Sequence, residues 1–447
     1  MRLRFVRSAR RAQTIFALSL LAAALMPAAA QAWTYKVIYN FCSKPNCEDG
    51  LDPRARLLLD SSGNIYGTTT SGGKSYRGTV FELTPNGSHW RHRVLSRGML
   101  GTADAPLIMD VDGNLYTTAF MGGRYLNGAV FKLVHEQTGD TWKTLTLYTF
   151  CRSDSYICPD GRWPEGGLTY AGAATGMLYD GVSPLYGSTD DGGSDFDTGA
   201  GAVFQLKPRA TGHWNEKVIY TFCSQENCND GIHPSVGGII EDGSGNLFGT
   251  TKSGGANSQG TVFELSADAK KKQWTETTLY TFCSQAQCAD GAYGRGALVL
   301  DYLGSLFGVT LEGGNSCPTD STGCGVMFKV VPNGEQSAYT VLYAFCAQQD
   351  CHDGMYPAAG LSINLTGNLY GATSEGGGND ISNSAGAGAL FSFNGSEQVL
   401  HAFCGKAQCI DGRNPYGGLT MDAAGNLFGT TEYGGKYDGG TVFELSP

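Results

Sequence analysis

Apolar and polar residues alternate along most of this chain in short segments, and Gly, Asn and Asp separate the segments. Residues 63–69 read Gly-Asn-Ile-Tyr-Gly-Thr-Thr, for example, and residues 79–83 read Thr-Val-Phe-Glu-Leu. β-Branched and aromatic side chains favour strands, whereas Gly, Asn and Asp favour tight turns. The pattern therefore predicts many short β-strands joined by turns, and an all-β fold.

The segments belong to a repeat that occurs seven times. The position corresponding to Gly67 recurs at residues 117, 187, 249, 308, 371 and 429, so neighbouring copies are 50 to 70 residues apart. A complete copy has four apolar segments, with a turn of the Asp-x-x-Gly-Asn kind after the first and a Gly-Gly pair after the second. Four antiparallel strands in each of seven copies predict a seven-bladed β-propeller; a linear β-solenoid and tandem β-sandwiches are the alternatives.

The two ends of the repeat array complement each other. Residues 33–41 are a fourth segment that precedes the first copy, and the last copy stops after its third segment, residues 441–445. Because pairing these segments would remove two exposed strand edges, we expect the N-terminal strand to complete the last blade. The predicted organisation is one propeller domain, residues 33–447, with a closing strand at 33–42 and blades at about 51–97, 98–152, 153–224, 225–284, 285–347, 348–404 and 405–447.

Composition agrees with this architecture. Gly accounts for 65 of the 447 residues, charged residues for 16% and aromatic residues for 11%. Disordered chains are typically poor in aromatic residues and rich in charge, and collagen would require a Gly-X-Y period that is not seen here. The composition therefore excludes both classes.

Residues 1–32 have the pattern of a secretory signal peptide. Five Arg and no acidic residue precede or flank an apolar run at 15–26, and Ala30-Gln31-Ala32 resembles a cleavage site. The run is too short to span a bilayer, so we expect cleavage near Ala32 and a secreted or periplasmic protein without a membrane span. An uncleaved anchor is the alternative.

The charge of the chain argues against one class of partner. The 31 basic and 41 acidic residues give a net charge of −10, and removal of residues 1–32 would leave 26 basic and 41 acidic residues, or −15. Because such a surface repels phosphate, we expect no nucleic acid partner. We expect the protein to be a monomer.

The 14 cysteines fall into close pairs behind the predicted signal peptide, which indicates disulfides. A zinc site would need four ligands together, and redox catalysis is typical of a Cys-x-x-Cys spacing that is absent. We expect each disulfide to fix a loop between successive blades, and the loop at 96–106 to be the loosest because it has no cysteine. The pairs are Cys42 with Cys47, Cys151 with Cys158, Cys223 with Cys228, Cys283 with Cys288, Cys317 with Cys324, Cys346 with Cys351, and Cys404 with Cys409.

The repeated motifs resemble those of a known family. Gly-Asn-Leu-Tyr-Gly-Thr-Thr, Ser-Gly-Gly, Gly-Thr-Val-Phe-Glu-Leu, and Leu-Tyr-Thr-Phe followed by Asp-Gly are similar to the bacterial GloVer tandem repeats, named for Gloeobacter and Verrucomicrobia. The resemblance covers essentially all of residues 33–447. It implies a secreted or surface repeat protein, and it brings no activity and no catalytic residues.

Cofactor and catalytic motifs are weak. Asp110-Val111-Asp112-Gly113-Asn114 imitates the start of a calcium loop, but the twelfth position is Met121, and we interpret the stretch as a turn. We predict no cofactor; Asp190, Asp191, Asp195 and Asp197 form an acidic loop that is either solvated or an incidental calcium site. His233 and His352 lie near inter-blade loops, and a lone loop His is usually solvated. Apart from His233, His352 and the acidic loop, we expect no catalytic residues to interrupt the repeat near the axis.

Cations accompany Tyr in three loops that follow a Gly-Gly pair. In a closed ring, copies 7, 1 and 2 would be neighbours, and their loops would form a basic and aromatic surface suited to an anionic sugar. The alternative is that these are exposed loop residues with no shared role. The residues are Lys74, Tyr76, Arg124, Tyr125, Lys436 and Tyr437.

Three classes of function follow from these observations. We favour an exported binding module for glycans or cell-envelope polymers that uses the loop face of the propeller, although a protein ligand is an alternative. The second class is a secreted enzyme of the polysaccharide lyase or hydrolase type with its site at the central channel. The third is a structural or adhesive protein of the envelope.

Overall fold

The structure is a computed structural model, and it describes residues 33–447 apart from several short segments. The predicted signal peptide, residues 1–32, lies outside the described residues, as do Asp195, Asp197 and part of the predicted loop at 96–106. The segments left out within the domain are 98–100, 102–104, 137–140, 153–156, 194–198, 235, 269, 271–272, 319–320 and 380–385.

Seven antiparallel sheets, one for each repeat, form the predicted β-propeller. Strand β1 (Thr34–Asn40) precedes the first repeat. Blade 1 then contains β2 (Leu58–Leu59), β3 (Ile65–Thr69), β4 (Thr79–Asn86) and β5 (His89–Arg97). Blade 2 contains β6 (Ile108–Met109), β7 (Leu115–Ala119), β8 (Ala129–Glu136) and β9 (Thr141–Thr149). Blade 3 contains β10 (Thr169–Tyr170), β11 (Leu185–Thr189), β12 (Ala202–Pro208) and β13 (Trp214–Thr221).

The remaining blades repeat this order. Blade 4 contains β14 (Ile232–Pro234), β15 (Ile240–Glu241), β16 (Leu247–Ser253), β17 (Thr261–Ala267) and β18 (Trp274–Thr281). Blade 5 contains β19 (Ala292–Leu300), β20 (Leu306–Glu312), β21 (Val326–Val331) and β22 (Ala338–Ala344). Blade 6 contains β23 (Ser362–Ile363), β24 (Leu369–Thr373), β25 (Ala389–Phe393) and β26 (Glu397–Ala402). Blade 7 contains β27 (Thr420–Met421), β28 (Leu427–Thr431) and β29 (Thr441–Ser446).

Helical structure is confined to short 3₁₀ turns. In the described part of the chain no helix is long and apolar enough to cross a membrane. The turns are Pro45–Cys47, Ala173–Thr175, Glu226–Cys228, Ala286–Cys288, Gln349–Cys351 and Ala407–Cys409.

Strand β1 closes the ring, as the sequence predicts. It pairs with β29 in an antiparallel register that sets Thr34 opposite Ser446 and Tyr35 opposite Leu445. The Tyr35 hydroxyl donates a hydrogen bond of 2.5 Å to the backbone carbonyl of Asp411. The first and last strands therefore complete blade 7 together.

Phenylalanine rings connect successive blades, which explains the Phe that ends the fourth segment. This Phe packs edge-on or tilted against the Phe of the third strand in the next blade, with ring centroids 5.0 to 5.6 Å apart. In each of these pairs, a Gly of the second strand lies beneath the third-strand Phe ring; a Cβ on Gly67, for instance, would lie 2.5 Å from Phe81. The pairs are Phe41–Phe81, Phe150–Phe204, Phe222–Phe263, Phe282–Phe328, Phe345–Phe391 and Phe403–Phe443.

All the predicted cysteine pairs form disulfides, and the described residues include no free cysteine. The bonds join Cys42 to Cys47, Cys151 to Cys158, Cys223 to Cys228, Cys283 to Cys288, Cys317 to Cys324, Cys346 to Cys351, and Cys404 to Cys409. The disulfides share one face of the ring with the Gly-Gly loops, and we call this face the disulfide rim.

Disulfide loops between blades support the rim of the next blade. The second Gly of a Gly-Gly pair donates its N–H to the carbonyl of the second cysteine of the preceding loop, as Gly73 does to Cys47 and Gly435 to Cys409, both at 2.9 Å. The disulfide loop therefore holds the Gly-Gly loop of the following blade.

The loop that Cys151 and Cys158 close is longer than the equivalent loops between other blades, but its role is the same. Six residues separate these two cysteines, whereas four separate the cysteines of the other inter-blade pairs. Both side chains are buried. The Cys158 carbonyl accepts the N–H of Gly161 at 3.0 Å and that of Gly193 at 2.8 Å, so Cys158 takes the position that Cys47 has before blade 1.

The disulfide between Cys317 and Cys324 corrects one expectation. We expected every disulfide to lie between successive blades, but this one lies within blade 5, in the loop that joins β20 to β21. That loop is the Gly-Gly loop of its blade, and an insertion has lengthened it. The bond therefore braces the inserted segment itself, and the junction between blades 5 and 6 is braced by Cys346 and Cys351.

Candidate functional site

On the disulfide-rim side of the channel, the innermost segment of blades 1, 3, 4, 6 and 7 is unpaired between two paired stretches, and β19 of blade 5 shifts register in the same region. In blade 1, Leu51 bridges to Ser71 and Leu58 pairs with Tyr66, but the residues between them are not part of the ladder. The two residues before the buried Leu or Ile of that segment form a ring around the axis, which we call the collar. Its members are Ala55–Arg56, Ala105–Pro106, Gly166–Gly167, Gly237–Gly238, Gly296–Ala297, Ala359–Gly360 and Gly417–Gly418.

The collar needs small residues because neighbouring blades touch there through their backbones. A Cβ on Gly237 would lie 1.9 Å from the carbonyl carbon of Gly296, and one on Gly166 would lie 2.4 Å from the Cα of Gly238. Real Cβ atoms do not approach other atoms so closely, so the ring could not close with larger residues at these positions. In this collar Arg56 is the one long side chain.

Side chains that differ from copy to copy lie next to the collar, on its disulfide-rim side. The position three residues before the buried Leu is Arg54 in blade 1, Glu165 in blade 3, Arg295 in blade 5 and Tyr416 in blade 7. These four residues, with Arg56 and small residues of the collar, line a cavity of about 230 Å³ at the channel entrance. We call this cavity the mouth.

Arg54 and Tyr416 form one side of the mouth. The Arg54 guanidinium is paired with the carboxylate of Glu432, which is 1% exposed. Its carbon also lies 5.6 Å from the centre of the Tyr416 ring, within the range of a cation–π contact. Burial raises the pKa of the Tyr416 phenol, and the Glu432 carboxylate raises it further.

Lys252 pairs with two acidic side chains beside the mouth, and one of them, Glu165, lines it. Its Nζ lies 2.6 Å from Oε2 of Glu165 and 2.7 Å from Oδ1 of Asp190. Burial opposes the charge on Lys252, but Glu165 and Asp190 outweigh burial and raise its pKa. Nδ1 of His233 lies 3.8 Å from the same Asp190 oxygen and 2.8 Å from the Asp190 carbonyl oxygen.

Arg56 and Arg295 differ from Arg54 in that neither has an acidic partner among the described residues. Within the same part of the chain, Nε of Arg295 is buried without a hydrogen-bond acceptor. A terminal nitrogen of Arg56 donates to the Ser362 hydroxyl at 3.2 Å. In the described structure the mouth therefore contains two guanidinium groups without an acidic partner, on a protein with a net charge of −10.

The residues at the mouth are ones that the sequence reasoning missed. Arg54, Arg295 and Tyr416 line one cavity near the axis, whereas the sequence singled out only His233, His352 and the acidic loop there. Comparing the same position in all seven copies would have revealed them, since the positions three residues before the Leu have no common identity. The expectation that no catalytic residues lie near the axis stays a prediction.

The acidic loop of blade 3 corrects another expectation. Asp190 and Asp191 were expected to be solvated, with an incidental calcium site as the alternative. They are ion-paired with Lys252 and Arg162, respectively, so the expectation of a simply solvated loop is wrong. Neither cation is close to its acid in the sequence, so the pairing becomes visible only in the fold.

The predicted turn at Asp110 has the expected form. The Asp110 carboxylate accepts hydrogen bonds from the backbone and side chain of Asn114 and from the Tyr116 hydroxyl, and it lies 3.3 Å from Nζ of Lys132. Asp60 holds the corresponding turn in blade 1 by the same bonds to Asn64. These carboxylates therefore stabilise hairpin turns.

The predicted cation–Tyr loops lie on the disulfide rim, and their arrangement differs between copies. The Arg124 guanidinium carbon lies 5.8 Å from the centre of the Tyr125 ring, and Lys436 Nζ lies 5.2 Å from that of Tyr437. Tyr76 is 65% exposed and has a φ of +53°, so it occupies the left-handed position that Leu126 and Asp438 occupy in the other two loops. The Tyr of copy 1 is therefore shifted by one residue, and the six residues, including Lys74, remain a predicted binding surface.

Comparison with solved structures shows the fold. The chain is similar to the polysaccharide lyase Uly1, with 9% sequence identity and a TM-score of 0.51 over 91% of this chain and 92% of that chain. It is also similar to a putative 6-phosphogluconolactonase from Bacteroides uniformis, at 13% identity and a TM-score of 0.46 over 82% and 88% of the two chains. A protein of unknown function from Dyadobacter fermentans matches at 10% identity and a TM-score of 0.42 over 93% and 99%. No curated protein matches the chain.

A family model covers nearly the whole repeat array. The Gloeobacter/Verrucomicrobia repeat matches residues 23–184, 178–385 and 320–447, and these ranges overlap without a gap. The resemblance of the motifs is thus confirmed over all seven blades. The chain belongs to the Gloeobacter/Verrucomicrobia repeat family.

Proposed function

We propose that this protein is an exported binding module that recognises an anionic glycan at the mouth of its channel. The observation that carries the proposal is the position of Arg54, Arg56, Arg295 and Tyr416 around a floor of small collar residues. Guanidinium groups hold carboxylate or sulfate through paired hydrogen bonds, and a Tyr ring can lie against a sugar ring. The seven disulfides are consistent with an extracellular or periplasmic protein.

Electrostatics supports an anionic rather than a neutral ligand. Arg56 and Arg295 have no ion pair among the described residues, and leaving a charge without a partner is unfavourable in a site that is partly shielded from water. An anionic group on a ligand would supply the missing partner. The surrounding acidic surface would repel polyanions in general, so binding would depend on the local arrangement of the mouth.

The proposal is tested by titrating the purified protein with a panel of galacturonate oligomers, sulfated oligosaccharides and neutral oligosaccharides of equal length. We expect binding of at least one anionic series and none of the neutral series. Arg295→Gln should weaken that binding roughly 10- to 100-fold, because a charged hydrogen-bonding group is worth about 1.5–3 kcal/mol. Lys143→Gln, which removes one positive charge from the exposed face of β9, is the matched control and should bind like the parent.

The cation–Tyr loops are a second element of the same proposal. A chain that is long enough to leave the mouth would cross the disulfide rim, where Arg124, Tyr125, Lys436 and Tyr437 are predicted to contact it.

Two results would reject the mouth as the site. One is equal affinity for neutral and anionic oligosaccharides, and the other is an Arg295→Gln variant that binds the anionic series as tightly as the parent.

Catalysis is the competing function, because Tyr416 beside Arg54 is an arrangement that β-elimination from a uronate could use. Burial and Glu432 raise the pKa of the Tyr416 phenol, however, so this group is a poor base near neutral pH. Binding is therefore the better-supported function. Formation of an unsaturated uronate, followed by its ultraviolet absorbance during incubation with polygalacturonate, would replace the binding proposal with an enzymatic one.

A further inference from the structure

Arg56 extends from blade 1 into the opening that the collar surrounds. Its Cγ and Cδ pass 3.7 and 3.5 Å from the place where a Cβ of Gly418 would lie, and its guanidinium reaches the Ser362 hydroxyl. Arg56 belongs to blade 1, Gly418 to blade 7 and Ser362 to blade 6. The side chain therefore extends past one complete neighbouring blade within the collar. We call the opening inside the collar, which Arg56 occupies, the throat.

The throat separates two cavities. The mouth lies on the disulfide-rim side, and a second cavity of about 260 Å³ lies beyond the collar between the innermost strands. Arg56 lines both cavities, whereas Arg54 and Arg295 line the mouth only. A polymer that entered the mouth would thus meet the Arg56 guanidinium before it could reach the second cavity.

The electrostatic state of Arg56 makes this barrier attractive to anions. Burial disfavours the charged form and lowers the pKa of Arg56, and no acidic group of the described chain offsets the burial. An Arg side chain nevertheless stays protonated in proteins, so the throat retains a positive charge. The hydrogen bond to Ser362 uses one of five N–H donors, and the others can bind an anionic group.

We propose that Arg56 makes the throat an end-recognition site, in which the terminal carboxylate-bearing sugar of a glycan inserts through the mouth and binds the guanidinium. This inference rests on the proposed function and adds to it the form of the ligand. A chain cannot pass through a throat that Arg56 occupies, so an internal segment could not reach the guanidinium. The protein would therefore bind the ends of uronate chains and not their middles.

The test compares galacturonate, its short oligomers and long polygalacturonate by calorimetric titration. End recognition predicts that free galacturonate competes with the oligomers, and that stoichiometry follows the number of chains rather than the number of sugars. Lengthening the chain beyond a few sugars should then leave the affinity per chain unchanged. Several protein molecules on each long chain, with affinity proportional to chain length, would overturn the inference and leave the proposed function in place.

Variants at Arg56 provide an independent test. Arg56→Gln should weaken binding of galacturonate and of the oligomers by about tenfold or more, and Arg56→Lys should restore part of the loss because it restores the charge. Arg56→Met fills similar space without a charge, so its melting temperature reports whether the fold survives the change. A folded Arg56→Met that binds the oligomers like the parent would overturn the inference. Failure of the parent to bind any uronate probe would instead reject the proposed function together with this inference.

Discussion

Carboxyl groups at the junctions between blades should make the propeller less stable as the pH rises from about 4.5 to 7. Glu216, Glu276 and Glu397 occupy equivalent positions in the fourth strands of blades 3, 4 and 6, opposite Leu206, Leu265 and Phe393. Burial raises the pKa of each of these groups from 4.5 to about 7, and a nearby Asp contributes in all three. In the pH range between these values the unfolded chain loses the proton that the folded chain retains. Stability therefore falls with rising pH across this window and levels off above it.

Glu216 is the best residue for isolating one such contribution. Its carboxyl lies near Asp160, its Oε2 is 3.4 Å from the Tyr148 hydroxyl, and its Oε1 is buried without a hydrogen-bond partner in the described structure. A shift of 2.5 pH units corresponds to about 3.4 kcal/mol at most. Because the side chain is partly exposed, we reduce this to about 1–2 kcal/mol.

Glu216→Gln removes the ionisation while keeping the shape, and an amide N–H can donate to Asp160. We expect the variant and the parent to differ little in free energy of unfolding near pH 4.5, and the variant to be more stable by about 1–2 kcal/mol at pH 8. Urea unfolding at a series of pH values measures the difference. The comparison of the variant with the parent also removes the contribution of His92 to the free energy of unfolding, because both proteins share it. Burial lowers the pKa of His92 to about 4, so its contribution to stability is lost as the pH falls from 6.5 toward 4.

Glu335→Gln is the control, because Glu335 is an exposed residue in the turn between β21 and β22. It should change stability by the same small amount at every pH. Parallel pH profiles for the parent and Glu216→Gln would refute the reasoning, since they would mean that Glu216 ionises in the folded protein as it does in the unfolded chain.

Other predictions concern the collar, the closing strand and the rim. Gly237→Ala should destabilise the protein by more than about 2 kcal/mol because its Cβ would meet the Gly296 backbone, whereas Gly243→Ala, where a Cβ would have no neighbour within 4 Å, should be close to neutral in the same urea assay. Deletion of residues 33–41 should sharply lower the melting temperature because it exposes the edge of β29 and removes the buried Phe41, and an unchanged melting curve would argue against closure by this strand. Tyr125→Ala and Tyr437→Ala should each weaken glycan binding by about 1–3 kcal/mol at unchanged melting temperature, and undiminished affinity in the triple variant that also replaces Tyr76 would mean that the three rings make no contact with the glycan.

The architecture could be predicted because it depends on local patterns that recur. Each copy specifies its own strands through alternation and its own turn through residues such as Asp60 and Asn64. The fourth segment of one copy ends in Phe, and the third segment of the next copy contains a Phe. Because the copies repeat, these two rings pack together at successive blade junctions.

The disulfides followed from spacing, although the place of one of them did not. Cysteines separated by four or six residues could hardly pair elsewhere, and Cys151 with Cys158 bonds as its spacing indicates. Cys317 and Cys324 have the same spacing, but their loop joins two strands of one blade. Spacing determines which cysteines can meet, whereas the strands on either side determine what the closed loop connects.

The mouth could not be predicted in the same way, because its residues deviate from the repeat and lie far apart in the chain. Arg54, Arg295 and Tyr416 come from blades 1, 5 and 7, and nothing near any of them in the sequence indicates the others. The equivalent position of each blade meets its counterparts around the axis only when the ring closes. Likewise, Asp190 resembles part of a solvated acidic loop until Lys252 from the next blade lies 2.7 Å from its carboxylate.

The number of blades, the construction of each blade and the identity of the closing strand could be worked out from the sequence alone, because strand, turn and disulfide formation depend on residues close together in the chain. The side chains that face the axis, and the charges that have no partner there among the described residues, depend on the tertiary structure. Closure brings the seven innermost strands into backbone contact at the collar, so that Arg56 of blade 1 can reach Ser362 of blade 6. That contact depends on the radius of the closed ring, a property of all seven blades together that no single repeat encodes.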